Sequence, residues 1–169
     1  MKRLLVTAAA LIAVACVAKG QRAIILVRHA EKAIDSNEPG VPLSEAGRAR
    51  AARLAQMLAG VGVTAIYATE TDRARQTAEP LARALKLDVR TYSPRDPAGK
   101  LAPQLLLDRL KKDDASGVVL VVGHQNTVPE LLAALGDPEK IEIGDKQFDD
   151  LFVVVPKLNA APTVLRLKY

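Results

Sequence analysis

The chain of 169 residues has little with which to stack, cross-link or bind metal: five aromatics and no Trp, a single Cys and two His. One Cys cannot close an internal disulfide and cannot build a Cys-rich zinc site, so a disulfide framework and a zinc ribbon are both excluded. Five aromatics are too few for the stacking platform of a single-strand nucleic-acid binder. That weakens the nucleic-acid reading that a net charge of +5 would otherwise invite. Low-complexity tracts, internal repeats and interdomain linkers are missing as well. With 49% hydrophobic and 25% charged residues, what is present has the composition of one globular domain.

Residues 1–21 form a separate block. Lys2 and Arg3 precede a 15-residue apolar run at positions 4–18, rich in small residues. A positive start, a short apolar run and small residues near a cleavage point describe a secretory signal, and the run is short of the ~20 residues that span a bilayer. We therefore expect a signal peptide at 1–20 and a mature domain at 21–169, exported to the periplasm. Small residues offer cleavage points near Ala15, Ala18 and Gly20. Cys16, after Val14 and Ala15, also resembles a lipidated bacterial cysteine, which is the lesser alternative and the only route by which a membrane would become a partner. Cleavage after Gly20 removes Lys2, Arg3 and Lys19, so Lys plus Arg falls from 24 to 21 and the charge from +5 to +2. The basicity is then largely an export device.

From Ala23 onward, apolar runs alternate with amphipathic segments. Strands are expected at 23–28, 63–68, 87–91, 118–122, 151–155 and 163–168, and helices at 44–60, 71–85, 101–112 and 128–135. Pro80 should kink or divide the second helix, whereas Pro129 sits in the first turn of the last, where a missing N–H costs nothing. Strands alternating with helices predict an α/β fold, three layers α/β/α around a central, mainly parallel sheet. Polar loops at 32–42, 92–100 and 136–150 would shape any pocket.

Both histidines follow the two most apolar strands: His29 ends AIILVRH and His124 ends VVLVVGH. In open α/β sheets ligands bind outside the carboxyl ends of strands, and two strands delivering a histidine to that edge suggest one site. Arg28 adds a planar, permanently charged fork suited to phosphate oxygens. Gly123 allows a close backbone approach, and a helix starting near Thr127 would aim free N–H groups at the same edge. Arg73 and Arg75 lie in a helix's first turn, where cations oppose the helix dipole. A salt bridge accounts for Arg75, while Arg73 is better explained by a bound anion.

Four motifs then occur in order. Arg28-His29-Ala30-Glu31 resembles the Arg-His-Gly/Ala signature of the histidine phosphatase superfamily (phosphoglycerate mutase-like), branch 1. Leu43-Ser44-Glu45-Ala46-Gly47 is similar to the opening of its first helix. Thr69 through Ala78 resembles its S-x-x-x-R-A-x-Q-T-A element, and Gly123-His124 its strand-end Gly-His. The resemblance implies the phosphoglycerate mutase-like fold and a covalent route, with His29 attacking phosphorus and Arg28, Arg73 and His124 holding the phosphoryl oxygens. It implies no cofactor and no metal, and a small phosphorylated substrate as partner. Gln125 and Asn126 are further candidate phosphate donors, and helix capping explains Asn126 equally well.

Many branch-one members carry a Glu, beyond the second motif, that protonates the leaving oxygen. No Glu lies between Glu79 and Glu130 here. Asp96 is the nearest candidate acid, with an ordinary solvated loop carboxylate as its alternative. The gap disfavours alcohol phosphoesters with poor leaving groups, and short length with an export signal disfavours mutase activity. Two other classes stand beside the phosphatase reading. One is a non-catalytic phospho-ligand-binding module; the other is a metal-dependent hydrolase using His29, His124 and a carboxylate such as Glu31.

Overall fold

A computed structural model of the chain describes residues 23–113, 116–157 and 159–169. The export signal expected at 1–20, with Cys16, lies outside the described residues. Six strands form one sheet: β1 (Ala23–Arg28), β2 (Val63–Thr69), β3 (Val89–Tyr92), β4 (Val118–Gly123), β5 (Asp150–Lys157) and β6 (Ala160–Lys168), in the order β3-β2-β4-β1-β5-β6. The β3-β2, β2-β4 and β4-β1 pairs are parallel. β5 joins β1 antiparallel and carries β6 as its hairpin partner. The strands β1 and β4 read as unbroken apolar runs because both of their faces are covered.

Alternate residues of those strands point to two cores. Ile25, Val27, Leu120 and Val122 pack with Leu54 and Leu58 of helix α1 (Glu45–Leu58) and with Ala74, Ala78 and Leu81 of α2 (Asp72–Leu85). Ile24, Leu26, Val119 and Val121 pack with Leu106 and Leu110 of α3 (Pro103–Asp113) and Val128 and Leu131 of α4 (Thr127–Ala134). The three layers and mainly parallel sheet expected from the sequence are present. Among the described residues no helix is long and apolar enough to cross a membrane.

Local differences have identifiable causes. Pro80 does not divide α2, which runs unbroken through it; Ala78, Leu81 and Ala82, buried against the sheet around the proline, hold the turn in place. The third helix starts at Pro103, two residues late, because Leu101 is bridged to Arg95 and Pro is favoured at a first helical position. The last two strands are longer than expected and antiparallel, a distinction that an apolar run alone does not carry.

Candidate active site

The carboxyl ends of β2, β4 and β1 lie side by side, with Ala68 opposite Val122 and Arg28 opposite Gly123. The residues at those ends or just beyond them are Thr69, His124 and the Arg28-His29 pair. The rings of His29 and His124 meet edge to face with centroids 5.1 Å apart. The structure therefore brings together the two strand-end histidines anticipated from the sequence.

His29 is held from both sides. Its N–H donates to the Gly123 carbonyl at 2.9 Å. Its Nδ1 lies 2.7 Å from the Ala30 carbonyl, an acceptor only, so Nδ1 carries the proton and Nε2 keeps its lone pair. Burial pushes its pKa down to about 3, with His124, Arg28 and Arg73 acting in the same direction and the Ala30 bond opposing. The imidazole is thus neutral at pH 7, the form that acts as a nucleophile.

Arg28 is only 5% exposed and Arg73 6%. One terminal nitrogen of Arg28 donates to the carbonyls of Gly144 (2.7 Å), Asp145 (2.9 Å) and Gln147 (3.2 Å). Its guanidinium carbon lies 4.1 Å from the centre of the Phe148 ring. Arg73 donates to the Glu38 carbonyl at 2.9 Å. Neither forms an ion pair among the described residues, and in both Nε is buried with no hydrogen-bond partner. Burial lowers the pKa of each, and in Arg28 the nearby Asp145 charge opposes that while Arg73 adds to it. Two buried guanidinium groups held by carbonyls, with donors left over and no ion pair among the described residues, are able to receive an anion.

The second motif is a set of struts. The Thr77 hydroxyl accepts from the Ala30 N–H at 2.9 Å and donates to the Arg73 carbonyl at 2.7 Å, tying α2 to the residue after His29. The Gln76 side-chain carbonyl accepts from the Leu43 N–H. Ala74 and Ala78 are fully buried on the sheet, where a larger side chain has no room. Gly47 of the first-helix motif faces the backbone of Glu31, and a Cβ there would lie 2.3 Å from its carbonyl oxygen.

His124 lies over a tight turn. Its N–H donates to the Thr127 hydroxyl at 2.7 Å. A Cβ on Gly123 would come within 2.6 Å of that hydroxyl, which is the physical need for glycine there. The His124 Nε2 lies 2.8 Å from the Thr69 hydroxyl. Burial pushes its pKa down to about 4, followed by the charges of Arg73, Arg28 and Arg95. The free N–H groups expected at the start of α4 are not free: those of Thr127 and Val128 both donate to the His124 carbonyl.

Other expected residues sit differently. Asn126 is exposed and its side chain makes no capping bond. Gln125 donates to the Asp145 carboxylate at 3.0 Å. The Asp96 carboxylate accepts from the Lys100 N–H at 2.9 Å, closing its own loop, and has no bond to the two histidines or two arginines. Arg75 pairs with Asp72 at 3.8 Å, as a surface ion pair. Glu31 is gripped by Arg50 through contacts of 2.7, 2.9 and 3.0 Å, so its carboxylate is engaged away from the histidines. Among the described residues, no three His, Cys, Asp or Glu side chains are grouped as a metal would need. Thr69, Phe148 and the carbonyls of the 144–147 loop were not anticipated. Thr69 ends an apolar strand as the histidines do, a signal that was available.

The profile of the histidine phosphatase superfamily (branch 1) matches residues 24–93. No curated protein sequence matches the chain. Among solved structures, the protein histidine phosphatase SixA complexed with tungstate aligns with a TM-score of 0.70 at 21% identity, over 86% of this chain and 96% of that one. The mycobacterial glucosyl-3-phosphoglycerate phosphatase with inorganic phosphate aligns with a TM-score of 0.68 at 16% identity, over 88% and 96%. At these identities the likeness is one of fold.

Proposed function

We propose that the chain is a histidine phosphatase of the branch 1 kind, whose profile matches residues 24–93, and that it hydrolyses a phosphomonoester or related phosphoryl compound through a phosphohistidine on His29. The observation that carries this reading is the pair of buried guanidinium groups, without an ion pair among the described residues, beside a neutral histidine whose Nε2 is unprotonated. The Nε2 lone pair attacks phosphorus as the bond to the leaving atom breaks, and that atom leaves with the bonding electrons. Water then attacks the phosphorus of the N–P adduct, giving inorganic phosphate and restoring the His29 lone pair. Arg28, Arg73 and His124 stabilise charge on the non-bridging oxygens, which is most of the catalytic task in phosphoryl transfer. The two arginines supply the positive charge for which other phosphatases use a metal ion.

With Asp96 turned to its own loop, no carboxyl group among the described residues is assigned as proton donor to the leaving atom. Substrates with good leaving groups, such as aryl phosphates or phosphoramidates, are favoured over alkyl esters. The substrate is small, nucleic acid is not a partner, and the domain works after export, with the membrane a partner only if Cys16 carries lipid.

The test is hydrolysis of an activated aryl phosphate by wild type and His29→Ala, with and without chelator, together with trapping of 32P on His29 in a quench that avoids acid. Activity that His29→Ala retains, or that the chelator abolishes, overturns the mechanism. Tight vanadate binding without turnover would identify a binding module instead.

A further inference from the structure

The two histidines are oriented by different kinds of partner, and the second arrangement has a consequence for the site. A neutral imidazole owns one N–H and one lone pair, so whatever bonds one nitrogen decides what the other offers. At His29 a carbonyl takes the proton on Nδ1. At His124 the partner of Nε2 is the Thr69 hydroxyl at 2.8 Å, which is able to donate or accept. Nδ1 of His124 has no partner among the described residues.

Thr71 bears on that choice. Its hydroxyl oxygen is 3.3 Å from that of Thr69, and both threonines are buried, Thr69 at 1% exposure and Thr71 at 9%. Thr71 is the N-cap residue of α2, a position where threonine ordinarily accepts a bond from the helix, yet its side chain makes no capping bond. Its hydroxyl is left for Thr69. Either hydroxyl is able to donate across that contact. Only with Thr71 donating to Thr69 and Thr69 to His124 Nε2 does each hydroxyl proton find an acceptor. The reverse order leaves the buried Thr71 proton without one. In the satisfied order the imidazole proton resides on Nδ1.

We propose that the Thr71–Thr69 hydroxyl pair is a positioning relay that fixes His124 as its Nδ1–H tautomer, so that a neutral histidine presents an N–H, not a lone pair, to a phosphoryl oxygen. This rests on the phosphatase reading for its anion but makes a separate claim about where a proton resides. His29 and His124 then share one tautomer and serve opposite ends: His29 offers a lone pair at Nε2, and His124 offers a proton at Nδ1. Without the relay, the alternative tautomer places a lone pair of His124 toward the anion, which it would repel.

Nitrogen-15 NMR of imidazole-labelled protein at pH 7, in phosphate-free buffer and with vanadate, reads the tautomer directly. We expect wild type to show a protonated Nδ1 and unprotonated Nε2 on His124. Thr69→Val, which keeps the shape and loses the hydroxyl, should shift that population toward Nε2–H and weaken vanadate binding about tenfold. Thr69→Ser should restore both, and Thr71→Val should produce a smaller shift in the same direction. If Thr69→Val fails to fold, the wild-type spectrum and Thr71→Val carry the test. A wild-type His124 protonated on Nε2, or a folded Thr69→Val with unchanged tautomer and vanadate affinity, overturns the relay. If wild type neither turns over phosphate nor binds vanadate, the phosphatase reading fails, while the spectrum still decides the tautomer.

Discussion

Replacing each buried arginine by methionine should move stability in opposite directions while abolishing the same function. Methionine keeps most of the apolar stem and removes the charge. Neither guanidinium group forms an ion pair among the described residues, and burial disfavours the charge of both, so removing either charge should gain about 2.5 kcal/mol, within the range seen when buried ionic groups are replaced by apolar ones. Arg73 gives up one bond, to the Glu38 carbonyl, at about 1.5 kcal/mol. Arg28 gives up the two N–H groups of one nitrogen, shared among the carbonyls of Gly144, Asp145 and Gln147, together with its stacking on Phe148, in all roughly 4 kcal/mol. The net expectation is about +1 kcal/mol for Arg73→Met and about −1.5 kcal/mol for Arg28→Met.

At roughly 2–4 °C per kcal/mol for a chain of this size, the melting temperature of Arg73→Met should rise by about 3 °C and that of Arg28→Met fall by about 5 °C. The assay is thermal unfolding with and without phosphate. At a hundredfold excess over its Kd, phosphate should stabilise wild type by about 2.7 kcal/mol. A hundredfold loss of affinity would reduce that to about 0.4 kcal/mol at the same concentration. Arg73→Met melting below wild type in phosphate-free buffer would refute the view that this charge is held at a cost. Full protection of Arg73→Met by phosphate would refute its place in the anion site.

Three further outcomes follow from the same geometry. The folded pKa values of about 3 for His29 and about 4 for His124 lie below the ordinary 6.5, so the unfolded chain binds more protons between those values. Stability should therefore fall as pH drops below about 6.5, by about 1.4 kcal/mol per unit for each histidine. Urea midpoints from pH 7.5 to 4.5 check this, and an equal slope in His29→Gln would contradict it. Asp96→Asn should change hydrolysis of aryl and alkyl phosphates by the same factor; a loss confined to the alkyl ester would restore Asp96 as the acid. Gly47→Ala drives a Cβ to 2.3 Å from the Glu31 carbonyl oxygen, which should destabilise by about 3 kcal/mol as overpacking against backbone, measured by the chemical denaturation midpoint.

Much of the site was readable because its chemistry sits on side chains at strand ends. His29 and His124 stand where apolar runs stop, and Arg73 stood out as a cation at the wrong end of a helix. The parts that hold these groups were not readable. Arg28 is aimed by carbonyls of residues 144–147, and every residue type has a carbonyl. The fate of the α4 N–H groups depended on a turn that directs two of them to one carbonyl of His124. Pro80 does not divide its helix because a local rule about helix interiors meets a helix pinned by Ala78, Leu81 and Ala82. Asn126 has the right residue type for a cap and no capping bond.

The use of carbonyls has its own logic. A carboxylate would hold Arg28 or Arg73 more firmly, as Glu31 holds Arg50, but it would neutralise the charge and compete with the incoming phosphate. A carbonyl fixes direction through its dipole and leaves the full positive charge for the ligand. The histidines follow the same rule: Ala30 and the Thr69 hydroxyl orient them without adding charge. The nearest carboxylates are bound elsewhere, Glu31 to Arg50 and Asp145 to Gln125. A pocket assembled this way is least stable when empty. On the proposed reading an anion, and not any internal partner, completes its electrostatics, and stability and phosphate affinity should therefore part company at Arg73.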